Sequence, residues 1–179
     1  GLMCRAFFSD NITNNGVHIT SDSLIYVYAD ARYTNSKGAT MVIPTPSIPE
    51  SPEYLITTNQ SSNTLANCYQ GMKSSQSSAF LIVGIAANSR IEVIPKGTSI
   101  VRDYRAGLPY VITLKQGQTF YFITADYDLS GSVIRAMDKN SKFAVFAGNR
   151  LSLSNQLDSS GVLCKSGSDH TFEQMTPSV

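Results

Sequence analysis

The chain has 179 residues, with 14 basic and 13 acidic side chains and a formal net charge of +1, and neither sign is gathered into a block that could track a phosphate backbone or an acidic membrane surface. Nucleic acid is therefore a poor match as a partner. Hydrophobic residues at 42% suit a packed globular chain, while charged residues are only 15% and Ser, Thr and Asn together number 49, the balance of a secreted β-protein.

In chain order, GLMCRAFF (1–8) reads as the last strand of a preceding β unit, and no charged, apolar, small-residue leader stands at the N-terminus. GVHIT, SLIYVYA, TMVIP, EYLITT, AFLIVGIA, RIEVIP, PYVITL, TFYFIT, SVIRAM and KFAVFAG follow, each rich in β-branched or aromatic residues and bounded by Gly, Pro, Asn, Asp or Ser. Such segments predict about a dozen short strands separated by turns. Alternation in SLIYVYA and TFYFIT implies sheets with one buried face, whereas AFLIVGIA lacks alternation and predicts a central strand covered on both faces, with Gly84 allowing a bulge or a close approach. KQGQ (115–118), with a Gly suited to positive φ, predicts a hairpin between PYVITL and TFYFIT. Long polar loops are expected at 33–39, 59–78 and 151–167, and the chain is expected to hold at most one short helical turn, for which SDHTFEQM (168–175) is the candidate. The class is all-β, in β-sandwich units. The longest apolar run, AFLIVGIAA (79–87), falls short of the ~18–20 residues of a membrane helix, so no membrane insertion is expected.

The chain also looks internally duplicated. Aligning Ser23 with Ser141 places Val27 on Val145, Ala29 on Ala147 and Arg32 on Arg150, with Ile25 and Tyr28 on Phe143 and Phe146. TPSI at 45–48 recurs as TPSV at 176–179. This pattern predicts the end of a preceding β unit at 1–15, one sandwich repeat at 16–130, and the start of a second, incomplete repeat at 131–179. Ends cut in mid-repeat would expose strand edges that another chain could complete.

Residues with catalytic or ligating chemistry are few. The two histidines, His18 and His170, stand in unlike contexts, and no G-x-S-x-G elbow, HExxH or P-loop occurs. His170 and Glu173 have the spacing that puts two metal ligands on one helical face, but a third ligand is lacking. Ser168-Asp169-His170 holds the residue types of a hydrolase triad, yet neighbours on one short segment do not converge on one point, and capping of a helical turn explains them better. Asp126, Asp128 and Ser130, followed by Gly131, imitate the start of a calcium loop, although Met137 stands where the bidentate Glu belongs. The aromatic stripes Tyr26/Tyr28, Phe120/Phe122 with Tyr121, and Phe143 with Phe146 read as core, and the chain has no Trp for stacking on sugars.

Cys4, Cys68 and Cys164 are too widely spaced for a metal knuckle. A disulfide joining Cys68 and Cys164 with one leftover thiol, a partner outside this sequence, and three buried thiols all remain open. Asn11-Ile12-Thr13 and Asn59-Gln60-Ser61 are candidate N-glycosylation sequons.

Several segments in combination resemble the IgGFc-binding protein N-terminal family, found in mucin-associated animal proteins and in bacterial surface or secreted proteins. They are GVHITSD followed by IYVY (16–28), TMVIPTPSI (40–48), FLIVG with SRIEV (80–93), LKQGQTF (114–120), DLSGS (128–132), FAVFAGN (143–149), and GSDH running into EQMTP (167–177). The family pattern continues into a Trp-Gly pair that this chain lacks. The resemblance implies an extracellular β-rich module without established catalysis, and it assigns no ligand-contacting residue. The first expectation is thus a non-catalytic extracellular binding or adhesion module of a larger cell-surface or mucus-associated protein, without cofactor. Its partner would be a protein or glycan, or another copy through exposed strand edges. The alternative is a structural subunit of an extracellular fibre or layer assembled by strand sharing, and an enzyme stands last.

Overall fold

The computed structural model describes residues 11–33, 36–59, 77–124, 128–153, 156–157, 163–164 and 168–178. GLMCRAFF, Cys4, Cys68, Asp126 and most of the 59–78 loop lie outside them. In chain order the strands are β1 (Ile12–Thr13), β2 (Tyr28–Tyr33), β3 (Ser36–Met41), β4 (Glu53–Leu55), β5 (Ser78–Gly84), β6 (Ser89–Ile94), β7 (Tyr110–Leu114), β8 (Thr119–Ile123), β9 (Val133–Ala136), β10 (Phe143–Leu153), β11 (Gln156–Leu157), β12 (Leu163–Cys164) and β13 (Ser168–Gln174). The one helical element among these residues is a 3-10 turn at Thr45–Ser47. The chain is all-β.

Two antiparallel sheets make the sandwich. One has the order β1-β8-β5-β10-β13 and the other β4-β9-β6-β7, while β2-β3 and β11-β12 are separate hairpins. Their facing sides share one core, to which Phe80 and Ile82 (β5), Phe120 and Phe122 (β8), and Phe143 and Val145 (β10) contribute from the first sheet. Tyr54, Ile91, Val93, Ile112, Leu114 and Ile134 meet them from the second. Each such side chain, when fully buried, stabilises the fold by roughly 1.5–3 kcal/mol relative to exposure. AFLIVGIA is central in its sheet, since β5 lies between β8 and β10, but it is not fully covered on both faces as expected, because Leu81 and Val83 on its outer face are only half-buried. A Cβ at Gly84 would strike the Lys115 carbonyl, so glycine there permits a close approach.

The turn at 115–118 forms as the sequence suggests, with Gly117 at φ 75° and Gln118 N donating to Lys115 O at 3.0 Å. It does not make a hairpin ladder. β7 pairs with β6 and β8 with β5 and β1, so the turn carries the chain from one sheet to the other. Local turn chemistry sets the reversal of direction, but the apolar faces of PYVITL and TFYFIT are better buried against each other across the core than side by side.

Two further expectations are corrected. Residues 168–174 form strand β13 on the edge of the five-stranded sheet rather than a helical turn, because seven residues can extend the β10 ladder and bury Gln174. GVHIT makes no strand, and SLIYVYA enters one only at Tyr28. The two halves of the sequence also interleave. β9 lies between β4 and β6, and β10 lies between β5 and β13, so early and late strands alternate in both main sheets.

The sheets are fastened through polar groups as well. The Tyr54 hydroxyl donates to Phe143 O at 2.8 Å across the core, and its ring lies 5.6 Å from that of Phe143. At the rim, Ser89 Oγ donates to Lys142 O (2.8 Å), and Ser141 Oγ accepts from Arg90 N (3.0 Å). Both serines are buried.

Burial pushes the Tyr54 phenol well above its ordinary 10.0. Its preference for the neutral form is fully expressed below pH 10 and is lost as pH rises from there through the folded value. Tyr54→Phe should cost about 1–3 kcal/mol in urea unfolding at neutral pH, because the Phe143 carbonyl loses its donor. The gap between wild type and variant should narrow above pH 10.

Candidate functional site

Beside β13 the sandwich leaves a cleft of about 780 Å³ between β3, residues 57–59 and the β10–β13 ladder. Its lining is rich in hydroxyl and amide groups, among them Thr40, Thr58, Asn59, Thr171, Gln174 and Thr176. Among the described lining residues Glu173 is the one carboxylate, and Lys and Arg are absent.

Three hydrogen-bonded arrangements hold this cleft open. On the β3 side, Gln174 Oε1 accepts from Ile43 N at 2.8 Å, and Gln174 N donates to Thr40 Oγ1 at 3.1 Å. β3 thus lies against β13 through side-chain substitutes for strand pairing, with Gly38 admitting the His170 carbonyl. At the floor, Gly148 lets β13 approach so closely that a Cβ would run into the Thr171 carbonyl.

On the opposite wall, buried Asn149 uses its side-chain amide as a surrogate strand. Its Oδ1 accepts from Asn59 N (2.7 Å) and its Nδ2 donates to Asn59 O (2.6 Å) and to Ser78 Oγ (3.1 Å). The Asn149 backbone N donates to Thr171 Oγ1 at 2.7 Å. Thr58 is fixed by the acidic turn: its hydroxyl donates to Asp128 Oδ1 at 2.5 Å, and Ser130 Oγ donates to Thr58 O at 2.9 Å.

Asp128 and Ser130, two of the three calcium candidates, therefore serve to anchor Thr58, and Ser130 N also donates to Asp128 Oδ1 at 2.8 Å. Asp126 is outside the described residues. His170 and Glu173 do not share a face, because residues three apart on a strand point to opposite sides. His170 and Phe172 lie on one side, their rings 6.4 Å apart, and Phe172 stacks on Phe146 at 5.3 Å. Ser168 and Asp169 enter the structure through their backbone, which pairs with Leu153 and Ser152. Among the described residues no three of His, Cys, Asp and Glu come close enough to hold a metal ion.

The aromatic stripes divide. Phe120, Phe122 and Phe143 are core, whereas Tyr26 and Tyr28 are exposed. Asn11 is exposed and accepts a hydrogen bond from Arg102. Asn59 sits at the cleft rim, and Cys164 is the β12 partner of Gln156. The key residue that sequence reading missed is Asn149. Its signal was position: it follows Phe143, Val145 and Ala147 at period two, so an amide there had to face inward and find partners.

Asn149→Ala removes the side-chain acceptor of Asn59 N and one of the two donors to Asn59 O, which also accepts from Ser78 Oγ at 3.2 Å, and is expected to cost about 1–3 kcal/mol in chemical denaturation. Asn149→Asp keeps an acceptor for Asn59 N and should cost less under acidic conditions, where the carboxyl can remain a donor. Limited proteolysis would show the same order of susceptibility next to Asn59.

No curated protein and no solved structure matches the chain significantly. The family model described as IgGFc binding protein matches residues 38–179, which takes in β3 from Gly38 onward, both walls of the cleft and both main sheets apart from β1. With well over half of its length covered, the chain belongs to the IgGFc binding protein family.

Proposed function

We propose that the chain is a non-catalytic binding module of a larger extracellular protein, at the cell surface or in mucus, and that the cleft beside β13 is where it holds its ligand. The observation that carries this reading is the lining, in which fixed hydroxyls and amides surround a single carboxylate. Such a surface recognises neutral or basic polar groups, on a protein loop or a glycan, by directed hydrogen bonds. Membership in a family named for binding supports it.

A second reading, a structural subunit of an extracellular layer or fibre, is favoured by the exposed apolar segment before β2.

The first reading is tested by surface binding of the purified chain to two immobilised probes, the Fc fragment of immunoglobulin G and purified mucin. Binding to either is expected, and Glu173→Arg should weaken it at least tenfold without changing thermal stability, since Glu173 is exposed and rims the cleft. Binding that is unchanged in the variant, or absent with both probes, would sink the cleft as the recognition site.

A further inference from the structure

The segment leading into β2 carries an apolar load that the fold leaves in water. Leu24 is 89% exposed, Tyr26 75% and Tyr28 67%, with Val17, Ile19 and Ile25 also open. Scattered surface hydrophobics are ordinary, but a run of this kind at a strand edge is not.

The internal repeat says what is missing beside it. Val27 aligns with Val145, and the two residues make the same bond: Val27 O accepts from Val42 N at 2.8 Å, and Val145 O accepts from Met175 N at 2.8 Å. TPSI and TPSV then follow the two donor strands at 45–48 and 176–179. The β2–β3 hairpin is thus built as the β10–β13 pair is built. β10, however, has β5 on its other edge, while among the described residues β2 pairs with β3 alone. Since Val27 O faces β3, strand alternation turns the N–H and C=O of Tyr26 and Tyr28 toward the open edge.

The strand that fits is of the β5 type, and the chain presents one. Leu24-Ile25-Tyr26-Val27-Tyr28-Ala29 matches Leu81-Ile82-Val83-Gly84-Ile85-Ala86 at Leu, Ile and the final Ala. We propose that two copies of this chain pair antiparallel along residues 24–29, each supplying the other with the strand that β5 supplies to β10. The register follows from the native ladder, in which Val145 pairs with Ile82 and Phe146 with Leu81. Val27 then lies opposite Ile25 of the second copy, Tyr28 opposite its Leu24, and Tyr26 opposite the same residue. The arrangement is two-fold symmetric and closes, and it joins two β2–β3 hairpins into one four-stranded sheet. This rests on the structural-subunit reading, for which a closed dimer is one building contact and not by itself a fibre or layer, and it is independent of the cleft.

The test is a concentration series of the purified full chain by light scattering after gel filtration, with hydrogen exchange read on the same samples. The expected result is a species of twice 19.4 kDa at high concentration, with slowed exchange at residues 24–30. Tyr26→Pro removes an edge N–H, and Tyr26→Lys sets two ammonium groups opposite each other. Because Tyr26 is exposed and outside every strand, both variants should keep the wild-type melting temperature and raise the dimer dissociation constant at least a hundredfold. A dimer that survives both substitutions overturns the proposal. So does a chain that stays monomeric with freely exchanging residues 24–30, which leaves that edge to a different protein. Neither result bears on Fc or mucin binding.

Discussion

Seven residues of β5 run antiparallel to seven of β10, from Ser78 opposite Asn149 to Gly84 opposite Phe143. This ladder lies in the middle of the larger sheet, so its inward side chains must be apolar and its outward ones cannot be freely charged. Phe80, Ile82, Phe143 and Val145 meet the first demand, and Leu81, Val83 and Phe146, none of them fully exposed, meet the second. The second sheet is held in place by what that ladder presents. Tyr54 reaches Phe143 O, and Ser89 and Ser141 stitch the rims near Lys142. At the far end of the ladder Asn149 converts its last inward position into a polar anchor for Asn59, and the cleft begins there.

The wealth of hydroxyls acquires a second meaning in this light. A chain with few charges needs them for solubility, yet many are buried: Ser78, Ser89, Ser132 and Thr124 show no exposed surface. Where strands from different sheets approach without sharing a ladder, backbone groups would be stranded, and a short hydroxyl can donate and accept in the gap. Ser89 Oγ donating to Lys142 O (2.8 Å) and Thr124 Oγ1 donating to Thr98 O (2.8 Å) are two such repairs.

Strand identity was largely legible because it depends on local pattern. RIEVIP, PYVITL, TFYFIT and KFAVFAG are β6, β7, β8 and β10, and AFLIVGIA holds the central place its unbroken apolarity required. Pairing was less legible, since the KQGQ turn fixes a reversal but says nothing about which sheet receives the next strand. β13 was missed because an edge strand needs little apolar content, and Ser168-Asp169 looks like a helix cap when its ladder partner is unknown. The cleft was beyond reach for a related reason. Its walls are drawn from residues 38–41, 57–59, 147–148 and 170–176, and only long-range pairing brings them together.

The interleaving of early and late strands has a consequence for how the chain is made. β5 emerges from the ribosome with one neighbour still some sixty residues away in sequence, as Val83 and Ala144 show. β4 must likewise wait for β9, which pairs with it through Tyr54 and Ile134. Few stable intermediates can form from the first half alone, because loop closure has to precede the contacts that reward it. The most apolar strand of the protein therefore stays unpaired on one edge through much of synthesis. Nascent chains of this fold should depend heavily on holdase chaperones until β10 has cleared the exit tunnel.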